Sequence, residues 1–303
     1  MDLTDGIRAF VAVIETGSFT AAGQRLRVSN KQVSKQIAGL ETRLGRSLLY
    51  RTTRAVSLTD AGEGYLPHAR RILGALEEAD AALREPEGVL SGRLRIACGA
   101  TLGELCVADA VHAFTKAHPL MRVDLHLSDG FTDLAVGGFD LAIRIGIPRD
   151  SSLRMQRIGA TTPRVAASPA YLQRHGRPDH PGDLAGHHAI LDLNAQSPDR
   201  WTFRRNGEEQ TVTMAGNMAV NSAAVTIRRA MAGDGLVRAP DIFLTPHLAS
   251  GALVTVLDDF ADGTRPIHLL SPPTAFRQKK IAAFAALLRQ QLDGLAPAGF
   301  RPG

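Results

Sequence analysis

The 303-residue chain has little of what several protein classes require. It has only two cysteines, Cys98 and Cys106. Two cannot build a disulfide framework, and their spacing is not that of a Cys-x-x-Cys site. Reduced thiols and a cytoplasmic location are the corresponding expectation. Aromatics make up 5% of the chain, with a single Trp, so the apolar mass falls on Ala, Leu and Val. No run approaches the roughly 18 apolar residues of a membrane span, and no membrane association is expected. The opening Met1-Asp2-Leu3-Thr4-Asp5 is acidic and leads into no basic-then-apolar stretch, so no secretory signal is read there. Gly-x-Ser-x-Gly, a phosphate loop and His-Glu-x-x-His are all missing. No residue stands out as a nucleophile, so neither an enzyme nor a cofactor is expected. His180, His187 and His188 lack a carboxylate or Cys at ligand spacing and read as loop histidines, not as metal ligands.

What is present is a composition for packed cores, 44% hydrophobic and 21% charged, at a length that suggests about two domains. The formal net charge of +5 is unevenly placed. Residues 1–59 hold nine Lys/Arg (Arg8, Arg25, Arg27, Lys31, Lys35, Arg43, Arg46, Arg51, Arg54) against Asp2, Asp5, Glu15 and Glu41. The remaining residues balance 26 basic against 26 acidic, so the excess lies wholly in the first fifth of the chain. That is the footprint of a module that meets phosphate, although charge alone fits an ordinary solvated basic face as well.

Local patterning sharpens that choice. Ile7, Phe10, Val11 and Ile14 follow the spacing of an amphipathic helix, which Gly17 can end. Ser18 can cap a second helix carrying Phe19, Ala21, Ala22 and Leu26. After a short turn, Ser29 and Gln32 have capping-box spacing. The third helix then buries Val33, Ile37, Leu40 and Leu44, leaving an outer face of Asn30, Lys31, Gln32, Ser34, Lys35 and Gln36. Two helices, a tight turn and a capped third helix with a polar face make a helix-turn-helix. Asn, Gln, Ser and Lys can pair with base edges in the major groove of double-stranded DNA. Downstream, Arg51-Thr52-Thr53-Arg54 sits before the alternation Val56/Leu58 and suggests a small β-wing whose arginines touch phosphate or the minor groove. A plain soluble loop is the alternative there.

The run Phe10–Ala22, with Val33-Ser34-Lys35-Gln36-Ile37, Leu40-Glu41, Leu44-Gly45, Arg51-Thr52-Thr53-Arg54 and Leu58-Thr59-Asp60-Ala61-Gly62, resembles the opening of LysR-type transcriptional regulators. One departure concerns the start of the recognition helix, where that family often has Gln-Pro and this chain has Asn30-Lys31.

From Thr59 to about Leu83 the chain reads as one long helix. Tyr65, Ala69, Ile72, Leu76, Ala79 and Leu83 step by alternating fours and threes, a heptad seam that needs a partner. The resemblance implies the same helix of a second subunit, antiparallel, making Tyr65, Ala69, Ile72, Leu76 and Leu83 dimerisation residues. Packing on the chain's own core is the alternative. Pro67, with Gly64 nearby, predicts a bend. Residues 85–92 read as a hinge.

Beyond it, strand and helix signals alternate, which argues for parallel sheets. Strands are expected at 93–98, 123–127, 140–145, 164–167, 189–191, 201–203, 210–214, 253–257 and 267–270. Helices are expected near 102–116, 132–136, 169–175, 222–232 and 279–292. Gly138–Gly146, Ala232-Gly233-Asp234-Gly235-Leu236, Pro240 and Gly251-Ala252-Leu253-Val254 again resemble LysR-type regulators, with Asp234 where the family usually has an apolar residue. The resemblance implies a sensor similar to periplasmic binding proteins, two α/β subdomains around a ligand cleft. The expected organisation is a winged helix-turn-helix at 1–59, a linker helix and hinge at 60–91, and a sensor at 92–303. Within the sensor, subdomain I holds about 92–161 and 268–295, and subdomain II about 162–267. Ligands bind open α/β sheets at the carboxyl ends of strands, often on helix N-termini. Thr101, Ser128, Asn221 and Ser222 occupy such positions and are the candidate effector contacts. Each is also read as a helix cap or turn residue.

The expected whole is a transcription regulator on promoter DNA, a homodimer or homotetramer that answers a small-molecule effector and contacts RNA polymerase. A solute-binding protein, or an enzyme carrying a DNA module, are the readings from other classes.

Overall fold

The computed structural model describes residues 2–51, 56–84, 89–129, 134–146, 153–273 and 278–295. Three helices open the chain: α1 (Leu3–Thr16), α2 (Phe19–Leu26) and α3 (Asn30–Leu44). Each begins on a side chain that accepts an otherwise unpaired backbone N–H, namely Asp2 for Thr4, Ser18 for Thr20 and Ala21, and Ser29 for Gln32. Two end on glycines in the left-handed region, Gly17 and Gly45, and α2 ends on Arg27 at φ 58°. Strands β1 (Leu49–Arg51) and β2 (Val56–Leu58) pair antiparallel, Leu49 opposite Leu58. The long α4 (Asp60–Arg84) follows. It runs unbroken through the buried Pro67, so the expected bend does not interrupt it.

These elements share one core of Ile7, Phe10, Val13, Val33, Ile37 and Leu40, closed by Leu48 and Leu49 of the wing and by Leu66 and Ala69 of α4. Full burial of Phe10 alone contributes roughly 2–3 kcal/mol. Helices α1 and α3 cross closely at Gly6, where a Cβ would meet the Leu40 Cβ at 3.1 Å. Leu44, expected inside, is 38% exposed because it closes the last turn of α3.

The remainder comprises β3 (Ser91–Cys98), α5 (Ala100–Leu102), a π-helical turn (Gly103–Val107), α6 (Ala108–Ala117), β4 (Leu120–Leu127), α7 (Leu134–Gly137), β5 (Leu141–Ile145) and β6 (Arg154–Thr161). Then come β7 (Pro163–Ala167), α8 (Pro169–His175), β8 (His188–Asp192), β9 (Arg200–Arg205), β10 (Glu208–Thr213), β11 (Ala215–Val220) and α9 (Ala223–Met231). The chain closes with β12 (Val237–Pro240), α10 (Asp241–Ala249), β13 (Val254–Val256), β14 (Arg265–Ser271) and α11 (Lys279–Leu295).

The chain forms two compact units. One holds residues 1–95, 118–124 and 132–140, and the other the rest. Strands β3 and β4 begin in the first and end in the second. Five strands are ordered β4-β3-β5-β14-β6. β3 and β5 are parallel, whereas β14 is antiparallel to both β5 and β6, so this sheet is mixed, not parallel throughout. The other sheets are the antiparallel β12-β7-β13, the parallel pair β11-β8 and the hairpin β9-β10. That hairpin turns on Asn206-Gly207, both at positive φ, as a two-residue hairpin loop requires. In the second unit Phe114 meets Phe284 edge-on, and Val165, Tyr171, Trp201, Phe203, Leu236 and Phe260 form a further core. Strands β6, β11 and β12 and helix α10 were not anticipated from the sequence.

Candidate nucleic-acid interface and effector cleft

The polar face of α3 follows from which positions its partner helices cover. Val33, Gln36, Ile37 and Leu40 are buried, the i, i+3, i+4, i+7 stripe turned toward α1. Asn30, Lys31, Gln32 and Lys35 are exposed together at the capped end, and Ser34 is half-buried between them and the stripe. Gln36, assigned to the outer face from its polarity, is 7% exposed. It belongs to the inward stripe, where Gly6 lets α1 approach so closely that a Cβ there would meet the Gln36 carbonyl at 3.1 Å. Gln36 is therefore withdrawn from the face that could meet DNA. Gln32 is exposed and does not complete a reciprocal capping box with Ser29.

The acids of this module are largely spoken for. Asp2 caps α1. Glu41 Oε1 accepts from the backbone N–H of Leu48 at 2.8 Å and of Leu49 at 3.3 Å, tying α3 to the wing. Glu15 pairs with Arg25 at 2.8 Å. Lys31 and Lys35 thus face solvent on a module whose surplus charge is positive. The strand of the wing reaches Arg51, and the candidates Thr52, Thr53 and Arg54, with the side chain of Arg51, lie outside the described residues.

Glu15 has further partners that periodicity did not signal. Arg70 Nε of α4 lies 3.8 Å from it and Arg93 Nη1 of β3 lies 3.9 Å away, while Arg93 also pairs with Asp124 of β4. Arg95 donates to the Gly138 carbonyl at 3.0 Å. Burial lowers the pKa of Arg95, and the neighbouring Arg70 and Arg93 guanidiniums lower it further. Burial likewise lowers that of Arg70, opposed by Glu15.

The α4 seam divides. Ala69 is wholly buried and Tyr65 packs on Phe10, with ring centroids 5.9 Å apart, so both serve the chain's own helix-turn-helix core. Ile72 and Leu76 are 41% and 37% exposed. The side chain of Leu83 lies outside the described residues. The single seam expected from the heptad steps is in this chain two surfaces, one covered and one open.

The four effector candidates all fall in the second unit. Thr101 is buried, and its Oγ1 accepts from Ala224 N at 3.3 Å, at the start of α9. Ser222 caps α9 by accepting from Val225 N. Asn221 beside it is exposed. Ser128 is exposed, its N–H bonded to the Cys98 carbonyl and its carbonyl to Arg144 Nη1 at 2.9 Å. Thr101, Asn221 and Ser222 therefore converge on one helix terminus. Ser128 is carried by the end of β4, next to Asp129, whose Oδ1 accepts from Ala100 N at 2.8 Å. Charges that sequence reasoning passed over complete the surroundings. Asp192 has its pKa raised, first by burial and then by Asp129, with Asn194 opposing. These surroundings hold hydroxyls, the Arg144 guanidinium and the Asp129 and Asp192 carboxylates, while the N–H groups of Ala100, Ala224 and Val225 are taken by side chains. Burial holds Cys98 up at about 12 and Cys106 at about 11, so neither thiol supplies a thiolate here. A surface cavity of 320 Å³ beside hairpin β9-β10, lined by residues such as Arg205, Glu209 and Phe260, includes none of the candidates.

Of the three histidines read as loop residues, His187 and His180 make structural contacts, and His188 begins β8 instead of lying in a loop. His187 is buried and its Nδ1 lies 3.2 Å from the Tyr171 hydroxyl, which accepts from His188 N at 3.1 Å. His180 caps a short 3-10 turn with Asp183. No metal-holding group of His, Cys, Asp and Glu occurs among the described residues, and no described helix is long and apolar enough to cross a membrane.

Comparison with known proteins agrees with this geometry. Residues 4–63 match the family described as bacterial regulatory helix-turn-helix protein, lysR family. Residues 87–293 match the LysR substrate binding domain. An uncharacterised HTH-type transcriptional regulator of Haemophilus influenzae is 35% identical over 272 residues, 90% of this chain and 94% of its own. The HTH-type transcriptional regulator PtxR of Pseudomonas aeruginosa is 35% identical over 284 residues, 94% of this chain and 91% of its own. The full-length structure of the Vibrio cholerae virulence activator AphB superposes with a TM-score of 0.61 at 28% identity, covering 95% of this chain and 98% of that one.

Proposed function

Since this chain belongs to the LysR family of helix-turn-helix transcription regulators, we propose that it reads promoter DNA through the exposed start of α3 and is switched by a small polar effector at the N-terminus of α9. Asn30, Gln32 and Ser34 face base edges in the major groove. Lys31 and Lys35 serve phosphate or guanine, and the wing residues Arg51, Thr52, Thr53 and Arg54 follow the backbone. Thr101, Ser128, Asn221 and Ser222 hold the effector. The open part of the α4 seam, Ile72 and Leu76, together with Leu83 at the next step of the sequence pattern, joins two subunits antiparallel, so that paired modules meet a partly palindromic site. Dimers pair into a homotetramer in the cytoplasm. The effector prefers one arrangement of subunits, and this preference sets the bend of the DNA and its presentation to RNA polymerase. The domain division that goes with this reading is 1–59, 60–91 and 92–303.

The observation that carries the reading is the exposure of Asn30, Lys31, Gln32 and Lys35 together on a capped helix of the module that holds all the surplus positive charge. Fluorescence anisotropy on a labelled duplex, titrated with salt, tests it. Affinity should fall linearly on logarithmic axes, and Lys31→Ala should shallow the slope by about one contact. A salt-independent affinity, or a Lys31→Ala slope equal to the parent's, refutes the phosphate assignment.

A further inference from the structure

Helices α2 and α3 meet at a very close turn. A Cβ at Gly23 would lie 2.8 Å from the Val28 carbonyl and 3.4 Å from the Asn30 nitrogen, so only a bare glycine lets the turn fold down onto α2. Arg27, at φ 58°, closes it. The consequence is a side-chain contact across the turn. Asn30 Nδ2, at the first position of α3, donates to Thr20 Oγ1 of α2 at 3.3 Å. Both residues are exposed, on the same end of α3 as Lys31.

That bond gives the Asn30 amide a direction. A free asparagine can present either its carbonyl or its amine to a base, because the two ends exchange by rotation about χ2. With Nδ2 donating to Thr20, the carbonyl Oδ1 is the end left to accept from a base. In the major groove adenine offers the N6 amine and cytosine the N4 amine, whereas guanine and thymine present acceptor oxygens at the matching place. We propose that Asn30 is a specificity-determining residue that accepts from an exocyclic base amine, selecting adenine or cytosine, and that Thr20 is its positioning residue. The inference rests on α3 entering the major groove and adds the polarity of the reading at one position. The remaining Nδ2 proton can reach N7 of adenine, so adenine ranks at or above cytosine.

Selection of bound duplexes from a randomised library by the full-length protein, followed by sequencing, tests this. The position read by Asn30 is the one at which Asn30→Ala loses its preference. The parent should enrich adenine or cytosine there about five- to tenfold over guanine or thymine, the discrimination expected of one net hydrogen bond. Thr20→Val removes the anchor but keeps the shape, and should broaden that position toward all four bases while leaving the others as in the parent. A purely structural role for Thr20 would instead weaken binding evenly. Asn30→Asp keeps an acceptor and should keep the adenine or cytosine class at lower overall affinity. A guanine or thymine preference in the parent, an unchanged profile in Thr20→Val, or a uniform loss across all positions in Asn30→Ala each overturns the proposal while α3 still reads DNA. If the parent enriches no sequence at all, the underlying major-groove reading falls with it.

Discussion

Replacing Glu15 by Gln removes the one carboxylate that faces Arg25, Arg70 and Arg93 together, and its cost can be worked from the geometry. At about 4 Å and an effective dielectric near 20, one unit pair is worth roughly 4 kcal/mol before desolvation is charged against it. Exposed pairs retain under about 1 kcal/mol, and breaking a buried one costs about 3–5 kcal/mol. The Glu15 and Arg70 side chains are 18% and 21% exposed, between those limits, which places the loss near 2 kcal/mol. The arginines left behind add to it. Burial already lowers the pKa of Arg95 and Arg70, and Glu15 is the group opposing that effect at Arg70. Amide hydrogen exchange in the intact chain reads the effect, because multidomain unfolding yields no single stability. A loss of 2 kcal/mol should lower protection in α1 and in the middle of α4 by about 30-fold, at roughly 1.4 kcal/mol per factor of ten. Arg25→Ala breaks only the pair whose arginine is 49% exposed and should change protection by less than about fivefold. Protection in Glu15→Gln within twofold of the parent, or equal losses in the two variants, would refute the argument.

Two other perturbations follow from the same reasoning. Ile72→Glu with Leu76→Glu places charges on the open part of the α4 seam, so sedimentation should show a smaller assembly with unchanged helicity. Retention of the parent's assembly would mean that this seam joins no subunits. Burial lowers the pKa of His187 below its ordinary 6.5, with His175 adding to the shift and Asp183 opposing it. A group held neutral in the fold contributes stability above its unfolded pKa that is lost as pH falls, because the unfolded chain takes the proton more readily. The thermal stability of the second unit should therefore fall below about pH 6.5, and His187→Gln should flatten that dependence; an unflattened profile counts against His187 as its source.

The amino-terminal module was legible because its local signals agree with one another. Asp2, Ser18 and Ser29 start helices and Gly17 and Gly45 end them where the apolar spacing changes phase. The errors lie where polarity stood in for position. Gln36 is polar but three residues from Val33, so the helix turns it inward. Leu44 is apolar but closes the last turn, so it stays out. In the second unit, β11 is exposed along most of its length and α10 is apolar on nearly every side, so neither carries the alternation that marks an element. Asp192 and Arg144 show why the surroundings of the candidate effector residues were only half visible, because each meets Asp129 or its neighbour Ser128 only through the fold.

Periodicity also reports that a face is apolar without naming what covers it. The α4 steps from Tyr65 to Leu76 are regular, yet the structure gives Tyr65 and Ala69 to α1 and leaves Ile72 and Leu76 open. The division has a physical cause. Thr59 Oγ1 accepts from Gly62 N at 3.0 Å and so caps the helix, and Gly62 sits against Leu48 where any Cβ would collide with the Leu48 carbonyl. Together they press the first turns of α4 onto the winged module. Further along, Ile72 and Leu76 stay exposed, while Leu73 between them still packs on the same core. One seam therefore divides along its length, its first turns fixing α4 to the winged module and its later turns leaving Ile72 and Leu76 open. A change of subunit arrangement transmitted along α4 would reach α3 through Leu66 and Ala69, which lie in the same core as Val33 and Ile37.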